Sequence, residues 1–369
     1  NEARRYGTLT APDQAVTLDS ITAKSKSTIV GFFIQDSWSI LDKVTLNVGL
    51  RYDTLSLAGD DGITRIALKD QISPRIGVVW DPTQQGRSKI YANYGRYYEN
   101  IPLDAANRSL SAETQIRALH ACDPMAGHAS CDANLRSAGP LGGGLVSSSW
   151  LNTGAPYPTP VDPNLKSPST DEVVAGAEYE LLANARIGAS YTYRNLVRTV
   201  EDMSTTGGLT YFLGNPGEGI GSTFPKATRT YNAVTVFFNK TFADLWLAQV
   251  SYTWSRLYGN YDGLFAPNYG PNQLDPNITA LFDFPQFLKN GTGNLAGDVT
   301  HAIKIFLAKE FVITPVFSFS LGGSFNANSG FPIEPLGSDP AYGDGIVYIL
   351  QRGTTSRTPW VTSFDAKLG

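Results

Sequence analysis

The sequence predicts an all-β protein, specifically part of a transmembrane antiparallel β-barrel. Three observations predict it. Apolar residues alternate with polar ones over runs long enough to cross a bilayer as tilted strands. The connections between those runs alternate short and long along the chain. Finally, no run of about 18 apolar residues is present, so a helical span is not the way this chain would cross a membrane.

The alternation is clearest in "VTLNVGLRYD", which sets Val44, Leu46, Val48, Leu50 and Tyr52 on one side and Thr45, Asn47, Gly49, Arg51 and Asp53 on the other. Side chains alternate across a strand with period two, so this is one apolar face and one polar face. Further runs read the same way, and the pattern predicts eleven strands, at 28–41, 44–57, 71–81, 88–101, 168–182, 185–200, 227–243, 246–260, 298–311, 315–328 and 358–369. In the fourth, Ile90, Ala92 and Tyr94 oppose Lys89, Asn93 and Gly95. In the sixth, Ile187, Ala189, Tyr191 and Tyr193 oppose Arg186, Gly188, Ser190, Thr192 and Arg194. The eighth sets Trp246, Ala248, Val250, Tyr252 and Trp254 against Gln249, Ser251, Thr253 and Ser255. Polar faces this small and hydrophilic suit a wet lumen, whereas a soluble sandwich would need large apolar groups there. The first strand is less regular, since Asp36 shares a face with Ile34 and Trp38; the sequence places it near an interface or at a bulge.

Short turns are expected at Leu41–Lys43, at 82–86, near Ala183–Asn184, near Asp244 and at Val312–Thr314. Between them fall loops over 58–70, 102–167, 201–226, 261–297 and 329–357. Short periplasmic turns and longer extracellular loops are the asymmetry of outer-membrane barrels. The first strand then runs toward the periplasm. Charged residues make up 17% of the chain, below the roughly 25% of soluble domains, and aromatics reach 11%. Trp38, Tyr52, Trp80, Tyr97, Tyr98, Trp246, Trp254, Tyr258 and Trp360 cluster at strand ends, where girdle residues sit at the two membrane interfaces, or else are ordinary hairpin aromatics. A net charge of −4 argues against a nucleic-acid partner.

The segments "GFFIQDSWSILDKVTLNVGLRYD", "ISPRIGVVWDPTQQGRSKIYANYGRYYENIP", "GDVTHAIKIFLAKEF" and "RGTTSRTPWVTSFDAKLG" resemble TonB-dependent outer-membrane receptors of the Oar-like branch. The resemblance implies a 22-stranded barrel closed around an N-terminal plug, with residues 1–369 supplying part of that one domain and 102–167 a long extracellular loop. The eleven strands correspond to strands 10 to 20, with plug, first and last strands lying elsewhere in the protein. It further implies active import: substrate binds the extracellular loops, and the TonB–ExbB–ExbD machinery pulls on the plug. Siderophore, cobalamin, oligosaccharide and peptide substrates all fit, and the Oar-like branch favours peptide or protein. A passive porin-like channel or a surface adhesion or assembly barrel is the alternative.

Among site residues, Arg51, Arg75, Lys89, Arg186 and Arg194 are expected to face the lumen, on a substrate path or against plug acids, or else simply to hydrate its wall. Tyr261, Phe265 and Tyr269 are the candidate ligand contacts in "GNYDGLFAPNYGPNQLDPN", unless that loop packs on itself. Cys122 and Cys131 lie in the longest loop and, in an oxidising medium, are expected to form a disulfide. A metal site of His120, Cys122, His128 and Cys131 is the sharper alternative, although the spacing matches no standard zinc finger. Loop aspartates such as Asp60, Asp61 and Asp262 sit beside Gly and Asn, which is turn chemistry before it is calcium chemistry. No serine elbow, Walker A loop, HExxH or CxxC pair is present, so neither an enzyme nor a cofactor is expected.

Overall fold

The computed structural model describes residues 7–11, 14–17, 25–59, 62–103, 110, 115–120, 145–151, 159–208, 210–263, 280–339 and 343–369. Eleven strands form one continuous antiparallel meander: β1 (Lys26–Ile40), β2 (Val44–Ala58), β3 (Thr64–Trp80), β4 (Ser88–Tyr98), β5 (Ser169–Leu182), β6 (Ala185–Arg198), β7 (Arg229–Ala243), β8 (Trp246–Gly259), β9 (His301–Thr314), β10 (Phe317–Asn328) and β11 (Val361–Leu368). Every strand pairs with its neighbour in sequence, and β1 and β11 form the two edges. A twelfth strand of two residues, Gly293–Asn294, pairs with the end of β8.

Short turns lie at one end of this sheet, at 41–43, 81–87, 183–184, 244–245 and 315–316. The other end carries the connections 59–63, 99–168, 199–228, 260–300 and 329–360. The turns are tight enough to force non-glycine residues into the left-handed region, with φ of 52° at Leu41, 62° at Asn184 and 65° at Leu245. The loop expected over 58–70 contracts to 59–63, because β3 begins at Thr64 rather than near residue 71. Ile66 and Leu68, each 2% exposed, continue the period-two ladder past the expected strand start. The loop expected over 329–357 likewise holds structure of its own, a hairpin of Leu336–Asp339 with Gly343–Tyr348.

Register fixes the faces. Val78 pairs with Ala92, Ala92 with Ala175, Ala175 with Tyr191, Tyr191 with Val234 and Val234 with Trp254, so one apolar band crosses the sheet. Leu50, Ile76, Ile187, Val236, Leu307 and Phe364 all lie open on the molecule's surface. An exposed apolar band of this extent is the surface a bilayer covers. At the short-turn end it carries Trp38, Trp80 and Trp246. At the long-loop end His301 is sandwiched between Tyr252 and Trp360, with ring centroids 6.1 and 6.0 Å away. Tyr252 and His301 also share a hydrogen bond of 2.8 Å. Asp36, the irregularity in β1, turns its carboxylate back to accept the Ser37 backbone N–H at 2.8 Å.

The chain divides into two compact units. One holds Asn1–Ser27, Leu57–Arg65 and Leu103–Thr159; the other holds Thr28–Ser56, Ile66–Pro102 and Pro160–Gly369. The first contains the tip of the β2–β3 hairpin and two further strand pairs, Gly7–Ala11 with Gln14–Thr17 and Gln115–His120 with Leu145–Leu151. The second contains nearly all of the sheet and the three later loops.

Candidate transport wall and loop cap

The polar face of the sheet is a charged wall in which neighbouring side chains, within a strand or across two, neutralise one another. Arg51 makes a two-pronged contact with Asp53, at 2.7 and 2.8 Å. Arg194 on β6 pairs with Glu172 on β5. Glu178 on β5 is shared, lying 3.6 Å from Lys89 on β4 and 4.0 Å from Arg186 on β6. Arg186 also donates to the Gly86 carbonyl at 3.0 Å, tying the wall to a short turn. The structure thus places all five of the expected basic residues on this face. Four carry acid partners. Arg75 instead holds its guanidinium over the Tyr97 ring, 5.2 Å from the centroid. It lines a recess of about 570 Å³ with Gln35, Asn47, Asn93, Tyr97 and Glu172.

Glycines set how far this wall projects. Tyr91 pairs directly with Gly176 and Phe237 with Gly188. A Cβ on Gly176 would stand 2.6 Å from the Tyr91 ring, and one on Gly188 would stand 2.5 Å from the Phe237 ring. Both rings therefore lie flat over the neighbouring strand, covering its backbone rather than reaching outward.

The long loops of the second unit form a folded cap. Met203, Phe224, Tyr261, Leu281, Phe282, Leu288 and Tyr348, drawn from three loops, make one apolar core with Leu196 at the end of β6. Phe284, Phe287 and Ile346 make a second. Polar side chains close the backbone where no ladder is available. Asn215 donates to the carbonyls of Thr199 and Lys166 at 2.7 and 2.9 Å. Asp298 accepts the Leu257 N–H at 2.6 Å and pairs with Arg357, which also donates to the Gly330 carbonyl at 2.7 Å. Arg352, its side chain wholly buried, pairs with both Asp262 and Glu334 and so joins the last two loops. Burial leads in raising the Glu334 carboxyl above its usual range, against the opposing pull of Arg352.

Tyr261, expected as a ligand contact, is 3% exposed and supports the cap from within. Phe265 and Tyr269 lie outside the described residues, as do Cys122, His128 and Cys131; His120 closes the strand Gln115–His120. Sequence reading missed Arg352, whose loop has no periodicity to mark a buried position. It also missed the contact of Arg96 with Asp171, at 2.7 and 2.8 Å on the apolar face near the loop end. That pair was accessible from the alternation, since Arg96 continues the row of Ile90, Ala92 and Tyr94.

The geometry agrees with known proteins. Residues 1–218 match the family model "TonB dependent receptor-like, beta-barrel". The whole chain is 48% identical to the TonB-dependent transporter Oar of Myxococcus xanthus, of which it spans 36%. Among solved structures it is similar to BauA, the ferric preacinetobactin receptor of Acinetobacter baumannii, with a TM-score of 0.52, 12% identity, and coverage of 94% of this chain and 36% of that one. It is also similar to Fiu, the ferric-catecholate import receptor of E. coli, with a TM-score of 0.51, 13% identity, and coverage of 94% and 38%. The chain thus spans little more than a third of the length of these relatives. An apolar band facing outward, a charge-paired polar wall and match along the chain lead to one conclusion: the chain belongs to the TonB-dependent receptor β-barrel family of the outer membrane.

Proposed function

We propose that the protein is a TonB-dependent outer-membrane transporter, in which this chain supplies consecutive strands of the barrel wall and the extracellular loops between them. The observation that carries this reading is the 48% identity with Oar, sustained over the full chain, loops included. The apolar band lies in lipid, and the polar wall faces a lumen filled by a plug from elsewhere in the protein. Substrate is captured at the loop cap, with Phe265 and Tyr269 as contacts and a Cys122–Cys131 disulfide bracing the 102–167 loop. Energy arrives from the TonB–ExbB–ExbD machinery acting on the plug. Paired charges keep most of the wall satisfied, which leaves Arg75 to take an anionic group of plug or passing substrate. The likeness to the Oar-like branch favours peptide or protein cargo. The ferric ligands named for BauA and Fiu come from proteins only 12 and 13% identical, a likeness of fold.

The test compares a strain carrying the full-length protein with its deletion mutant, measuring uptake of fluorescein-labelled peptides into the periplasm. Uptake that needs the protein and stops when a protonophore collapses the inner-membrane gradient is the expected result. Uptake that needs the protein yet continues after collapse would make it a passive channel.

A further inference from the structure

Glu201 is a buried acidic residue whose charge meets no cation or hydrogen-bond donor among the described residues. It opens the short strand Glu201–Met203, whose register fixes it opposite Gly214 on Phe212–Gly214. The residue is 2% exposed, and neither carboxylate oxygen has a hydrogen-bond partner among the described residues. Its surroundings make ionisation worse. Asp202 follows it in the chain, and Asp283 is brought in by the neighbouring loop, where the Asp283 carbonyl accepts the Ser204 N–H at 2.9 Å. The Tyr261 hydroxyl, on the segment after β8, is also buried here, with the Thr199 side chain beside it. Tyr211 faces Asp202 and Asp283, while Glu201, Glu99 and the Arg229 cation act on Tyr261.

Buried polar groups in native proteins are almost always satisfied, and a buried lone charge is neutralised rather than tolerated. Here the neutralising ligand has to be small enough to enter a packed core. We propose that Glu201 is a proton-binding site inside the loop cap: it is held as a neutral carboxylic acid at neutral pH, and its ionisation in alkaline medium loosens the cap. The parts released are the pairing of Glu201–Met203 with Phe212–Gly214 and the contact with the loop around Asp283. Burial first, then Asp202 and Asp283, pushes the Glu201 carboxyl well above the usual carboxylate range. A folded cap that keeps a proton the unfolded cap would release loses stability as pH rises from the ordinary carboxylate range through the folded pKa. Asp283, pushed up to about 8 by burial and by Asp202, acts in the same direction. The inference is independent of whether the barrel imports anything.

The test uses the full-length protein in lipid nanodiscs, with infrared spectra and amide hydrogen exchange read between pH 6 and pH 10. At neutral pH the wild type minus Glu201→Gln difference should contain a protonated-carboxyl band that is lost on raising the pH. Protection of 201–203 and 212–214, corrected for intrinsic exchange, should fall by up to about tenfold per pH unit in the wild type and clearly less in Glu201→Gln. Asp283→Asn keeps Glu201 but removes a like charge, so the band should disappear at lower pH. Absence of the band at neutral pH, full pH dependence retained in Glu201→Gln, or a titration unmoved by Asp283→Asn would each overturn the proposal.

Discussion

Replacing Arg352 with Gln should open the cap without unfolding the barrel. The side chain is fully buried and its two carboxylate partners, Asp262 and Glu334, are 9% and 4% exposed, so solvent screens none of these contacts appreciably. Removing one member of a buried ion group costs about 3–5 kcal/mol, because the remaining charges are left unpaired. At about 1.4 kcal/mol per factor of ten, that corresponds to a rise of roughly two to three and a half orders of magnitude in the population of open cap. The deficit should narrow in acid, where Glu334, its carboxyl already raised by burial, takes up a proton and no longer needs a cation. Amide exchange of Leu336–Asp339 and Gly343–Tyr348 in the full-length protein reads the opening directly. An apolar triple variant, Arg352→Met with Asp262→Leu and Glu334→Leu, should recover much of the loss, since such triads often exchange for hydrophobic groups at little cost. A change below about tenfold in Arg352→Gln, or one indifferent to pH, would refute the reasoning.

Three other outcomes follow from the wall and its turns. Val250→Arg places a cation in the apolar band and should destabilise the barrel by about 2–4 kcal/mol, whereas Ser251→Arg on the polar face should cost far less; urea titration of the refolded full-length protein in liposomes compares them. Gly188→Val should lift the Phe237 ring off its strand and push it into the lumen, which acrylamide quenching of the added indole in Phe237→Trp, with and without the valine, would show. Asp81 accepts from Thr83, Ser88 and the Gly86 backbone, and these bonds, led by the Thr83 hydroxyl, hold its carboxyl well below its usual range. Their support is therefore present at neutral pH and fades as the medium becomes strongly acidic; exchange at Gly86 should rise in acid for the wild type and stay level for Asp81→Asn.

The wall was legible in the sequence because period two is a local property: Val44 to Tyr52 declares two faces with no knowledge of the rest of the molecule. The cap was not. Met203, Phe282 and Tyr348 meet through loops far apart in sequence, and no spacing within "GNPGEGIGSTF" or "LFDFPQFLKN" marks which ring turns inward. Tyr261 shows the same gap, since an aromatic flanked by Gly, Asn and Asp reads equally well as a binding surface or as the core of a loop. The tip of the β2–β3 hairpin was misjudged for another reason. "TRIALKD" alternates faithfully, but its charges and the preceding "AGDDG" suggested a loop where the strand simply runs on.

The nearest-neighbour order of the sheet bears on how the barrel assembles. A meander asks each strand to find only the one before it, so the chain can zip by successive hairpins with low contact order. Most of these closures span two to thirty-odd residues, but β4 and β5 are separated by 99–168. That connection is about four doublings longer than a four-residue turn, an added closure cost of roughly 2.4 kcal/mol. Joining Ser88–Tyr98 to Ser169–Leu182 is therefore the slow step of the zip. A kinetic trap should divide the sheet there, into one four-stranded piece and one of seven.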